Sequence, residues 1–164
     1  MKELLITGAW RCGEQQVQAL EQMGYAVTFW PDERQAVNMD TQRFEAVICG
    51  GLFLTTPIER FPALKCIQVT SAGLDRVPLD YCKAHGITVY NAGGVYSAPM
   101  AEFVLGGILQ LYKESKFFAE SQAAHRWEKH RGLRELSGKT ACIIGTGSVG
   151  SAIARRLRAF DVQT

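Results

Sequence analysis

Over the first ninety residues, short apolar runs alternate with segments of helical or loop character. Leu4-Leu5-Ile6 predicts a strand. Gly13 to Met23 then predicts an amphipathic helix with Val17, Leu20 and Met23 on one face, closed by Gly24. Tyr25-Ala26-Val27-Thr28-Phe29 is a β-rich run ending at Pro31, and Ala46-Val47-Ile48-Cys49 and Lys65-Cys66-Ile67-Gln68-Val69-Thr70 follow as further strands. Leu79 to Ala84 has helical spacing and stops at Gly86, and Ile87-Thr88-Val89-Tyr90 completes the series. Alternation of this kind predicts an α/β fold, a parallel sheet with helices on both faces.

The pattern changes at Ser97, which has the chemistry of an N-cap, with Pro99 suited to the first helical turn. Phe103, Val104, Leu105, Ile108, Leu109, Leu111 and Tyr112 then cover nearly every helical face. A helix apolar all round is expected to be buried, between domains or against a partner subunit. Helical spacing persists more weakly to about His125, and Arg134 to Lys139 reads as a turn into a new strand, Thr140-Ala141-Cys142-Ile143-Ile144. That continuous apolar run predicts a strand covered on both faces. The final helix places Val149, Ile153, Leu157 and Phe160 inward and Ser151, Arg155 and Arg158 outward. The boundary between two domains falls near residues 91–100, giving segments 1–96 and 97–164.

Between that last strand and helix lies Gly145-Thr146-Gly147-Ser148-Val149-Gly150. Gly145 suits a tight turn out of the strand, Gly147 lets backbone approach a pyrophosphate, and Gly150 lets the helix pack closely. The amides near Ser148 and Val149 would meet the pyrophosphate, helped by the helix dipole. Strand, glycine turn and helix in this order predict a dinucleotide-binding unit. An acidic residue for the ribose hydroxyls is expected about 20 residues further on. Asp161 comes too early, so NAD against NADP stays open.

Composition narrows the partners. A formal charge of +2 from 18 basic and 16 acidic residues gives no concentrated basic surface, which argues against nucleic acid or an anionic membrane. The densest basic stretch, His125 to Arg131, contains Glu128 and reads as a solvated helix end. Cysteines 12, 49, 66, 82 and 142 form no CxxC pair and fit no disulfide framework or metal site. They read as small apolar fillers in a reducing compartment. Met1-Lys2-Glu3 leads directly into a strand, and the run Phe103 to Tyr112 is far shorter than the ~20 residues of a membrane span. The expectation is a cytoplasmic protein.

Three stretches together carry a family resemblance: Val69 to Val77; Gly86 to Ala92 with Tyr96-Ser97 and Ala101-Glu102; and Leu136-Ser137-Gly138-Lys139 followed by Ile143 to Gly150. In order and spacing over residues 45–160 the sequence resembles the D-isomer-specific 2-hydroxyacid dehydrogenases. The resemblance implies a flavodoxin-like parallel-sheet substrate domain over 1–96. Residues 97–164 would be the interdomain helix and the opening strand and helix of a Rossmann NAD(P)-binding domain. It implies NAD or NADP as cofactor, NAD favoured, with a small-molecule 2-hydroxy or 2-keto acid as substrate. Ser71, Ala72 and Gly73 would bind the substrate carboxylate, the amides of Ala72 and Gly73 being the donors, an arrangement that needs no charged side chain. Asp75 reads as structural. Met100 would face the nicotinamide or join the core, Tyr96 would bind at the cleft mouth or pack there, and Trp127 would pack in the connector.

The family's catalytic arginine, glutamate and histidine correspond to no residue of this sequence, and His85, His125 and His130 fall in the first-domain helix and the connector, where they cannot stand in. The expectation is therefore a truncated N-terminal portion of an oxidoreductase, without catalytic residues, inactive alone and without bound cofactor, dimerising through the 97–125 helix. The alternative is a non-enzymatic NAD(H)-sensing or corepressor-like protein of the same fold. A flavodoxin-like receiver lacks the clustered acids it would need and leaves the glycine turn unexplained.

Overall fold

Leu5, Val47, Ile67 and Val89 stand in one row across a sheet of parallel strands, each opposite the next. The strands are β1 (Lys2–Thr7), β2 (Tyr25–Trp30), β3 (Ala46–Cys49), β4 (Cys66–Val69) and β5 (Thr88–Tyr90). Their order, β2-β1-β3-β4-β5, is that of the flavodoxin-like doubly wound folds. Successive side chains of a strand face opposite sides. Leu5, Val47 and Ile67 thus enter one core with Phe44, Leu52 and Phe61, while Leu4, Ile6 and Ala46 enter the other with Trp10 and Leu20. With both faces covered, Leu4-Leu5-Ile6 and Ala46-Val47-Ile48-Cys49 read in sequence as continuous apolar runs.

The computed structural model describes residues 1–164, and the chain divides into two compact units, Met1–Gly93 and Gly94–Thr164. In the first, α1 (Glu14–Gln22) and α2 (Leu79–Ala84) accompany the five strands. Gly24 and Gly86, at φ +90° and +67°, turn the chain out of the two helices as a left-handed helix end requires. Met23 departs from the expected inward face of α1: it is the C-cap and is exposed, because the chain is already leaving the helix there. The stretch from Pro31 to Glu45 forms no helix or strand, yet it is tied down. Thr55 Oγ1 donates to the Glu33 carbonyl (2.7 Å), the Val37 amide to Thr56 Oγ1 (3.0 Å), and Arg60 Nη1 to the Val37 carbonyl (2.7 Å).

The second unit contains α3 (Ser97–Tyr112), α4 (Ser115–Ala123) and α5 (Ser148–Arg158). Its core joins Leu105, Leu136, Leu157 and Val162, with Ile108, Leu109, Tyr112 and Ile153 packed against them. Several expectations are corrected here. Ser97 is not the N-cap of α3; Tyr96 is, because the Ser97 amide already donates to the Gly94 carbonyl at 3.1 Å. The long helical pattern is two helices, broken where Glu114 takes a left-handed φ of 47°. Within this unit α3 is covered on one side only: Ala101 and Leu105 are buried, whereas Phe103 and Leu111 are 84% and 71% exposed.

The expected strand Thr140–Ile144 is a single parallel bridge, Thr140 to Gln163, closed by the Ala141 amide on the Gln163 carbonyl and the Gln163 amide on the Lys139 carbonyl, both 2.8 Å. A strand exists only through its ladder, and only the few residues at Val162–Thr164 lie alongside. Cys142 and Ile144 are accordingly exposed instead of covered. Phe160 is also exposed, since it follows the end of α5. Trp127, expected to pack, is fully exposed in the irregular stretch after α4. No helix is long and apolar enough to cross a membrane.

Candidate functional site

In an open parallel sheet, ligands bind outside the carboxyl ends of the strands, at the point where strand order reverses. Here that point lies between β1 and β3, and the loops at that edge are Thr7-Gly8, Gly50-Gly51 and Thr70 to Gly73. A carboxylate that sequence reading did not single out occupies the centre. Glu33 accepts from Thr7 Oγ1 (2.8 Å), from the Gly51 amide (2.7 Å) and from the Gly50 amide (3.1 Å). A side chain at 50 would displace this carboxylate: a Cβ there would stand 2.8 Å from Glu33 Oε1, 3.1 Å from Ala9 Cβ and 3.3 Å from Thr70 Oγ1. Paired glycines directly after a strand were the only sequence signal of this amide pocket.

Beside it runs the loop Ser71-Ala72-Gly73. The Ser71 hydroxyl donates to the Gly73 carbonyl at 2.8 Å, curling the loop on itself. From the opposite side, the Ala92 amide donates to the Ser71 carbonyl (2.9 Å) and Asn91 Nδ2 to the Ala72 carbonyl (2.7 Å). No hydrogen bond within the chain takes up the amides of Ala72 or Gly73, and both residues are exposed. Two adjacent free N–H groups of this kind form an anion-binding concavity. Asp75 stays beside this loop, its Oδ1 being 2.8 Å from the place a Gly73 Cβ would take.

The glycine turn of the second unit leads into α5. Gly145 has φ +103°, and a Cβ on Gly150 would stand 2.1 Å from the Gly145 carbonyl oxygen and 3.3 Å from Ile143 Cγ2. Gly150 therefore packs against the turn, as only glycine can. Around Gly147, the N-cap of α5, a Cβ would meet nothing within 4 Å. The first helical hydrogen bond runs from the Ser151 amide to the Gly147 carbonyl at 2.9 Å, so the amides of Ser148 and Val149 are free at the helix N-terminus. Ser151 Oγ ties the Thr146 carbonyl at 3.1 Å. A cleft of 330 Å³ lies here, bordered by Ile143, Gly145, Thr146, Gly150, Ser151 and Arg158. Open space at Gly147 with free, dipole-assisted amides beside it fits a pyrophosphate.

Tyr96 and Met100 lie at the start of α3, Tyr96 44% and Met100 50% exposed; Met100 is not a core residue. His85 and His130 serve local structure. His85 Nδ1 is 2.9 Å from the Tyr81 carbonyl and its ring stacks on Tyr81 at 3.8 Å. His130 Nε2 is 2.7 Å from Glu114 Oε2, with its ring on Phe117 at 4.1 Å. Burial, with the charge of Glu33 second, pushes the Cys49 thiol up to about 12, and burial raises Cys66 and Cys82 as well. None of these three offers a thiolate nucleophile at neutral pH.

The family model of the catalytic domain of D-isomer specific 2-hydroxyacid dehydrogenases matches residues 5–155. A glyoxylate/hydroxypyruvate reductase of Arabidopsis thaliana is 31% identical over 118 residues, which is 70% of this chain and 36% of the relative. Among solved structures, D-lactate dehydrogenase of Aquifex aeolicus, complexed with NAD and lactic acid, superposes with a TM-score of 0.77 at 25% identity. That match covers 97% of this chain and 49% of the other. The NADPH-dependent glyoxylate/hydroxypyruvate reductase of Sinorhizobium meliloti, in complex with citrate, gives 0.76 at 26% identity, covering 99% and 52%. The chain spans about a third to a half of the length of these proteins.

Proposed function

Because the chain belongs to the D-isomer specific 2-hydroxyacid dehydrogenase family, we propose that it carries two binding elements of a nicotinamide-dependent oxidoreductase that interconverts 2-hydroxy and 2-keto acids. The first is a cradle for the substrate carboxylate, made by the amides of Ala72 and Gly73 with Ser71 shaping the loop. The second is the turn Gly145 to Gly150, whose Ser148 and Val149 amides would receive the cofactor pyrophosphate. The observation that carries this reading is the pair of unengaged amides at the carboxyl edge of the parallel sheet. Amide donors bind the carboxylate shared by all 2-keto acids and leave the rest of the molecule to be read by other groups.

When bound, the nicotinamide supplies or takes up the hydride. What the chain contributes is orientation: a carboxylate held on two fixed N–H groups presents its neighbouring carbon at a defined distance from the loop. The keto oxygen must also receive a proton; His85 and His130 are engaged with Tyr81, Glu114 and Phe117, and this reading assigns no histidine to that transfer. The reading therefore has the chain bind without turning over. Tyr96 is assigned to substrate binding and Met100 to the nicotinamide. A relative complexed with NAD supports NAD as the favoured cofactor, although an NADPH-dependent relative is similar to the same degree. The exposed side of α3, with Phe103 and Leu111, is assigned to a homodimer through residues 97–125.

The test is fluorescence titration of the chain with NADH, followed by NADH oxidation in the presence of glyoxylate, pyruvate and hydroxypyruvate. Against the sequence expectation of a chain without bound cofactor, the free Ser148 and Val149 amides make saturable binding without oxidation the expected result. Oxidation above the protein-free rate would overturn the assignment of no catalytic residue, and absence of binding would remove the pyrophosphate turn.

A further inference from the structure

A trans peptide directs its C=O and N–H to opposite sides of one plane. The Ala72 carbonyl shares its plane with the Gly73 amide, and the Ser71 carbonyl shares its plane with the Ala72 amide. Both carbonyls are held from the same side, by Asn91 Nδ2 at 2.7 Å and by the Ala92 amide at 2.9 Å. Both N–H groups are thereby turned away from residues 91–92, side by side. From this geometry we propose that Asn91 is a positioning residue for carboxylate recognition: its carboxamide orients the Ala72–Gly73 peptide so that the Gly73 N–H meets the substrate. The inference rests on the reading of Ala72 and Gly73 as the carboxylate donors.

Asn91 is suited to this by both ends of its side chain. Oδ1 accepts from the Gly93 amide at 3.1 Å, a common local turn of asparagine or aspartate. That turn alone explains Oδ1 and says nothing of Nδ2, which reaches a carbonyl 19 residues away. The two bonds fix the amide flip, since the nitrogen faces a carbonyl and the oxygen faces an N–H. Aspartate could keep the turn but would set a carboxylate oxygen against the Ala72 carbonyl. The Ser71 hydroxyl on the Gly73 carbonyl (2.8 Å) holds the next peptide plane. The three successive planes from Ser71 to Leu74 are therefore each restrained at their carbonyl.

The experiment is a ¹⁵N–¹H NMR titration of the full chain with glyoxylate, for wild type, Asn91→Asp and Asn91→Ala. In wild type the Ala72 and Gly73 amide signals are expected to shift saturably. Asn91→Asp, which keeps the acceptor for Gly93, is expected to move the ligand-free Gly73 signal and to weaken binding about fivefold to tenfold, the loss of one hydrogen bond. Signals outside residues 71–74 and 91–93 stay unchanged, whereas a merely structural role would spread changes through the first unit. Asn91→Ala is expected to bind as weakly. If wild type and both variants bind alike, with Ala72 and Gly73 responding in all three, the positioning role is overturned and the cradle stands. If the wild-type Ala72 and Gly73 signals do not respond at all, the cradle itself fails, and the inference with it.

Discussion

At Gly147 and Gly150 the same substitution should have opposite consequences, because one glycine faces open space and the other faces backbone. A Cβ on Gly150 would overlap the Gly145 carbonyl at 2.1 Å, so Gly150→Ala is expected to destabilise the second unit by about 1–3 kcal/mol, the usual cost of overpacking. Gly147→Ala has room and a β-region backbone, so thermal unfolding should be unchanged while NADH affinity falls. Equal loss of stability in the two variants would contradict this division of roles. Cys49 supplies a pH prediction. Its thiol ordinarily ionises near 9.0 but is pushed up to about 12 in the fold, so above pH 9 the unfolded chain releases a proton that the folded chain keeps. Stability from this group is complete below pH 9 and declines toward pH 12. Urea midpoints measured across that range should fall more steeply for wild type than for Cys49→Ala. Neither Glu33 nor Asn91 stood out in the sequence, because their partners lie 17 to 26 and 19 residues away and no short-range pattern encodes such contacts.

At the scale of elements, the first unit was legible because its central parallel strands, covered on both faces, are mostly apolar, as in Leu4-Leu5-Ile6 and Ala46-Val47-Ile48-Cys49. β3 and α2 occupy the stretches that the pattern marks, Ala46–Cys49 and Leu79–Ala84. The second unit was less so. Lys113 and Glu114 have good helix propensity, so nothing in the pattern marks the break that the left-handed Glu114 makes. The run Thr140–Ile144 is apolar enough for a strand but has too little extended chain beside it to build a ladder. On α3, the one-sided burial leads to a prediction about association. Phe103→Ser, at a site exposed in the single chain, should leave the fold of that chain intact. It should also shift sedimentation toward monomer. An unchanged sedimentation profile would show that α3 does not join two copies. In contrast, Ile67 is fully buried on β4, between β3 and β5, and Ile67→Ala should cost about 2–5 kcal/mol in chemical denaturation.

For the whole molecule, the two proposed binding elements belong to different units. Each is built by the same device, a turn that leaves backbone amides free while its carbonyls are restrained. At Ala72 and Gly73 the restraint comes from Asn91 and Ala92; at Ser148 and Val149 it comes from the helix that follows. Binding and turnover are thus separable in this chain's proposed role, and a ¹⁵N–¹H NMR titration of the wild-type chain with NADH tests the binding. The amides of Gly147, Ser148 and Val149 are predicted to shift together and saturably, with no comparable change along β1 to β5. Saturation without movement of those three signals, or movement centred on another surface, would contradict it.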